Sequence, residues 1–269
     1  MRGKTAMSRW YVLAGILMVS AQSVLAQTWL VRQRGTILEI AYGSGSHFPQ
    51  YAALHLDSSY FRMVYSPQSG WGTSVILMPA FWSGGRYYQG APVTASWRTE
   101  GNTLLLSLSG TIASLQVSLE VRLSPPAKNS LVAQVKTLSV TGNLTLDNRP
   151  GEAFKPVMLS SMHVSPTQWD TRAAYVEGRL YNLPSSGWVV YPAKTASRFG
   201  LIGGSSSWKT AAPTMEVVLR QPKTLQVTGW VTYSTNPNDD NVGFWAASPQ
   251  VLRSWEYTLR ATVTHPAVR

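Results

Sequence analysis

Between Leu115 and Leu123 every second residue is apolar: Leu115, Val117, Leu119, Val121 and Leu123 alternate with Gln116, Ser118, Glu120 and Arg122. A period of two belongs to an extended strand with one face buried and one wet, whereas a helix repeats its apolar stripe every three to four residues. Pro125-Pro126 stops the run, and alternation resumes from Leu131 to Val140 through Leu131, Ala133, Val135 and Thr137. The two runs predict a hairpin that turns through Lys128-Asn129.

The same signature recurs along the chain. Short runs rich in Val, Ile, Leu, Thr, Tyr and Trp are punctuated by Gly, Pro, Ser and Asn, for example Thr36–Tyr42, Thr103–Leu108, Val157–His163, Met215–Leu219 and Leu225–Tyr233. Counted this way, the chain predicts about fifteen strands, with Gly101-Asn102 as a tight hairpin turn. No composition shift, linker or fixed-period repeat divides residues 27–269, so they are expected to form one domain. The expected fold class is all-β: a single large antiparallel β-sandwich, supersandwich-like, with no disulfides because the chain has no cysteine. Residues 43–50 and 234–248 are expected to be its longest strand-poor segments.

Residues 1–26 have the three zones of a cleavable signal peptide. Arg2, Lys4 and Arg9 precede an apolar run from Trp10 to Val19, and Val24-Leu25-Ala26 form a small-residue exit. The run is short for a membrane span, which needs about 20 apolar residues. The reading is therefore export to the periplasm or the extracellular space, with no stable membrane span after cleavage. A cysteine-free chain of this size fits a bacterial envelope protein, since it is long enough to build a core without disulfide staples.

The whole chain carries +11, and removing the three leader cations leaves twenty Lys and Arg against twelve Asp and Glu, or +8. These cations are scattered singly, so no nucleic-acid patch or polybasic tether is expected. A basic surface of this kind adheres to anionic envelope polymers.

Several chemistries lack their residues. There is no G-x-S-x-G elbow, P-loop, H-E-x-x-H pair or cysteine nucleophile. The four histidines, His47, His55, His163 and His265, are not at metal-ligand spacing, so neither metal nor cofactor is expected. The oxygen-rich stretch Asn236-Pro237-Asn238-Asp239-Asp240-Asn241 has a composition compatible with Ca²⁺ but not EF-hand spacing, and reads better as an Asx-rich turn.

The aromatic composition is the informative excess. Eleven Trp and twelve Tyr stand against six Phe. Trp and Tyr stack on sugar rings while their N–H and O–H groups bond hydroxyls, so the bias suits a carbohydrate surface. Trp82 and Trp245, in Gly/Ser/Asn-rich surroundings expected to be loops, are the leading ligand contacts, joined by Arg86, Trp169 and Lys209. His163 and Asp170 are the acid–base candidates, a near-neutral imidazole and a carboxylate that would suit proton transfer if they share one mouth.

Four segments resemble the galactose-mutarotase-like family, the aldose 1-epimerases and their relatives. Residues 78–93, with a Pro loop, Gly85-Arg86-Tyr87 and a Gly turn, are similar to that family's Gly-Arg-aromatic strand. The hairpin within Leu115–Val140 resembles its central strand pair, and Pro156 through His163 the strand delivering its catalytic His. Gly229 to Thr264 resembles its closing strands. The resemblance implies a supersandwich fold and a sugar site. The chain departs from the family in having Trp82-Ser83 where the family has Asn-Arg. His163 is followed by Val164-Ser165-Pro166, and Trp230-Val231-Thr232-Tyr233 lacks the general-base carboxylate. These departures imply a rebuilt site or lost epimerase activity.

Three functions follow as expectations. The first is an exported, non-catalytic carbohydrate-recognising protein. The second is a carbohydrate-active enzyme of mutarotase or lyase type using His163 and Asp170. The third is a cell-surface structural or assembly protein whose aromatic loops bind another protein.

Overall fold

A computed structural model describes residues 27–46, 50–56, 62–65, 72–76, 80–89, 93–126, 130–143, 157–165, 170–182, 187–204, 214–231, 242–247 and 249–262. The expected signal peptide, Trp169, Lys209, the Lys128-Asn129 turn and the oxygen-rich stretch 236–241 lie outside the described residues. Within them, nineteen strands and one 3₁₀ helix, Pro249–Ser254, make an all-β fold in which every pairing is antiparallel.

The first sheet begins as a meander of β1 (Thr28–Arg34), β2 (Ile37–Gly43), β3 (Gln50–His55), β4 (Arg62–Tyr65) and β5 (Gly72–Ile76). It continues through β12 (Val157–Ser165), β18 (Val242–Ala246), the second half of β17 (Thr214–Val231) and β15 (Gly187–Val190). The hairpin of β6 (Ala80–Ser83) and β7 (Arg86–Gln89) attaches to β12 at Val157-Met158, on the edge that β5 occupies further along.

The second sheet runs β8 (Val93–Glu100), β9 (Thr103–Ile112), β10 (Leu115–Leu123), β11 (Ser130–Thr141), β19 (Glu256–Thr262), the first half of β17, β16 (Lys194–Gly204), β13 (Asp170–Val176) and β14 (Arg179–Asn182). β17 therefore passes from one sheet to the other.

One apolar cluster fills the space between the sheets. It takes Leu38, Ile40, Leu54, Val227 and Phe244 from the first and Leu106, Leu119, Val135, Phe199 and Leu259 from the second. Phe199 and Phe244 meet across it with ring centroids 5.7 Å apart. The alternation of β10 is realised as read: Leu115, Val117, Leu119, Val121 and Leu123 are all buried. At one end of the sandwich, the Trp29 indole donates to the Asn102 carbonyl at 2.8 Å and ties β1 to the β8–β9 turn.

Local turns fix the registers. Gly101 takes φ +57° in the two-residue turn between Glu100 and Thr103, the left-handed conformation that only glycine adopts at little cost. The turn from β13 to β14 places Glu177 and Gly178 at φ +45° and +86°, the pattern of a type I′ hairpin. Glu177 is held there by its carboxylate, which accepts from the Ser197 N–H (2.5 Å), the Ser197 hydroxyl (2.8 Å) and the Arg198 N–H (3.1 Å). These donors, the Ser197 backbone N–H foremost, hold its carboxyl below the usual glutamate range. A lowered folded pKa contributes stability above the ordinary glutamate range, and that contribution is lost as pH falls through the lowered value. Glu177→Gln is therefore expected to lower stability at neutral pH and to flatten the acid limb of a melting-temperature-versus-pH profile. An unchanged acid limb would remove Glu177 as its source.

Three expectations are corrected. The segment 234–248, expected to be strand-poor, contains β18 at Val242–Ala246. Trp82 and Trp245 are not in loops but in β6 and β18. In both places glycine and serine flank a four- or five-residue strand and obscure its alternation. The strands read separately as Met215–Leu219 and Leu225–Tyr233 are one element, β17. Its pairing with β16 jumps from Ala196↔Lys223 to Arg198↔Val218, so Leu219 to Pro222 form an irregularity that accommodates a proline without a ladder donor.

Candidate functional site: an aromatic sheet face and a basic cleft

Strand register gathers tryptophans on one face of the first sheet. In β18, Phe244 belongs to the inter-sheet core, so its neighbour Trp245 takes the opposite, outer side. Trp245 is nevertheless buried, at 4% exposure, and so is its register partner Gln226 at 5%. The other partner of Trp245 is Met158, which also pairs with Ala80. Trp82 is two positions from Ala80 along β6 and opposite Tyr87, which places it on the same side of the ladder.

Trp230, four positions beyond Gln226, pairs with Trp188 of β15 and continues that side. His163 pairs with Ser74 of β5, three positions past Ser160, the partner of core residue Phe244. Its ladder position also falls on the outer side. Four tryptophan positions and one histidine position thus share one face. Trp188 and Trp230 escaped the sequence reading because they sit in apolar runs, Trp188-Val189-Val190 and Gly229-Trp230-Val231, where periodicity does not mark a face.

The other predicted residues lie elsewhere. Arg86 is exposed at the tip of the β6–β7 hairpin, its guanidinium 5.7 Å from the centre of the Tyr88 ring. Tyr88 packs against core Phe81 at 5.9 Å, so Arg86 is on the side of that hairpin away from Trp82. Asp170 opens β13 opposite Gly204, in the second sheet, whereas His163 is in the first. Among the described residues no group of three or more His, Asp or Glu is placed to hold a metal ion, and no helix is long and apolar enough to cross a membrane.

A second feature was not foreseen. The irregularity in β17 and the 3₁₀ helix together border a cleft of about 250 Å³ beside the start of β19 and the middle of β11. Lys136, Thr137, Arg220, Gln221, Arg253, Ser254, Trp255 and Glu256 line it. Lys136 is the register partner of Glu256, and Arg220 follows Leu219, the partner of Tyr257, so β19 lies between the two cations. Arg220 pairs with Glu256 at 3.1 Å, and the Lys223 ammonium donates to the Ser254 hydroxyl at 2.9 Å. Lys136 and Arg253 form no ion pair with any described residue. Trp255 is buried at 2% exposure, and its indole N–H has no acceptor among the described residues. The cations come from three distant segments and stand singly in the sequence, so no run marked them.

No protein-family model matches the chain, and no curated protein matches its sequence.

Proposed function

We propose that this chain is an exported, carbohydrate-recognising β-sandwich that binds a poly- or oligosaccharide without transforming it. The observation that carries the reading is the shared face of Trp82, Trp188, Trp230 and Trp245 on the first sheet. Aromatic rings on a sheet are spaced by its ladder, about 4.8 Å between strands and about 6.6 Å between alternate residues. Trp188 and Trp230, direct partners across β15 and β17, have that spacing, and Trp245 and Trp82 extend the same face further along, so that it offers stacking platforms to a chain of sugar rings. Buried Trp245 and Gln226 serve as the rigid floor, and the contacts are assigned to Trp82, Trp188 and Trp230. A binding role without catalysis is supported by the absence of a carboxylate in Gly229-Trp230-Val231, where a mutarotase-type site would need its general base.

Trp82→Ala and Trp230→Ala are each expected to weaken glycan binding at least tenfold, the scale of an aromatic hot spot. Trp245→Ala is expected to lower the melting temperature as well. Polysaccharide pull-down and a glycan array with the wild-type and variant proteins test this. A wild-type protein that retains no glycan across a broad panel sinks the reading.

A further inference from the structure

We propose that the basic cleft bordered by the 3₁₀ helix, the start of β19 and the middle of β11 and β17 is an oxyanion site that takes a phosphate monoester and, on the carbohydrate reading above, that of a phosphorylated sugar. Its charge is the first reason. Lys136, Arg220 and Arg253 against Glu256 leave two net positive charges on the lining. A phosphate monoester carries about −1.5 to −2 at neutral pH, which matches that excess better than a carboxylate does. The remaining polar side chains, Gln221, Thr137 and Ser254, all supply hydrogen-bond donors, and Glu256 is the single acid.

Geometry is the second reason. Glu256 engages Arg220 at 3.1 Å, while Lys136 and Arg253 are not spent on any described acid. A guanidinium recognises phosphate through two parallel N–H donors, and an ammonium adds a point charge. The β17 irregularity carries Arg220 and Gln221 to the cleft, and bulges of this kind recur where a strand re-aims side chains toward a site. At about 250 Å³ the cleft is smaller than the roughly 300–1,000 Å³ of sites that enclose a drug-sized ligand, and suits one phosphate with its sugar ring at the mouth.

The test is calorimetric titration of the full chain at low salt with glucose 6-phosphate, inorganic phosphate and glucuronate. Glucose 6-phosphate is expected to bind most tightly, inorganic phosphate next, and glucuronate at least about tenfold more weakly than the sugar phosphate. Lys136→Gln and Arg253→Gln are each expected to weaken sugar-phosphate binding about tenfold. Arg32→Gln, at an exposed cation on β1, leaves binding unchanged. Lys136 and Arg253 are both exposed, so their variants are expected to melt with the wild type. Absence of binding, equal affinity for glucuronate, or equal loss in Arg32→Gln overturns the assignment. Trp82→Ala leaves this titration unchanged, so the two sites are judged separately.

Discussion

Phe244→Ala is expected to destabilise the fold by about 3–5 kcal/mol, the range for truncating a fully buried aromatic side chain. Phe244 has no exposed surface, and neither has Phe199, its partner across the inter-sheet core. Removing the ring takes away its apolar burial and leaves a cavity between two rigid sheets, which close over it only in part. For a domain of this size the loss corresponds to a fall in melting temperature of roughly 6–20 °C. Phe199→Ala should cost a similar amount. The double variant should cost less than the sum, because the ring–ring contact, about 0.5–1.5 kcal/mol, can be lost only once. Trp97→Ala is the control: at 40% exposure on β8 it should change stability by no more than about 0.5 kcal/mol. Denaturant titration of the wild type and the four variants checks this, and a Phe244→Ala protein as stable as the control would contradict a core shared by the two sheets.

Gly142→Ala should separate from Gly101→Ala by a wide margin, although both glycines have positive φ. Gly142, just past the end of β11, has φ +105°, and a Cβ there would fall on the Ser114 carbonyl oxygen of the β9–β10 turn. That oxygen is backbone, and the turn is held by the Ser114 hydroxyl donating to the Asn143 carbonyl, so nothing yields without breaking the corner. Backbone strain alone costs about 1–3 kcal/mol, and the clash raises the expected loss to about 3 kcal/mol or more. At Gly101, φ is +57° and nothing lies within 4 Å of the added Cβ. Only the left-handed strain remains, about 1–2 kcal/mol. Chemical denaturation of the two variants reads the difference directly. Equal losses would mean that the 113–114 turn and Gly142 do not pack as described.

The strands most legible in the sequence are those with one wet face and enough length to show it. β10 reads most clearly because solvent on one side forces polar residues into every second position. β3, β6, β7, β14 and β18 do not read clearly. They are four to six residues long, and β18 has buried residues on both faces, Phe244 within the core and Trp245 on the other side. A strand covered on both sides carries no alternation to detect. The polar break Arg220-Gln221-Pro222-Lys223 read as a turn because the sequence cannot tell a turn from a strand that changes sheets through a bulge.

By itself, the sequence determined the fold class, the absence of disulfides and the tryptophan excess, because these depend on composition and on neighbours one or two residues away. Which tryptophans share a face was decided only by the tertiary structure. Face depends on register, and register joins Trp82, Trp188, Trp230 and Trp245 through pairings between strands far apart in the chain. The cleft of Lys136, Arg220 and Arg253 has the same origin: three cations without a common run meet because β19 inserts between β11 and β17.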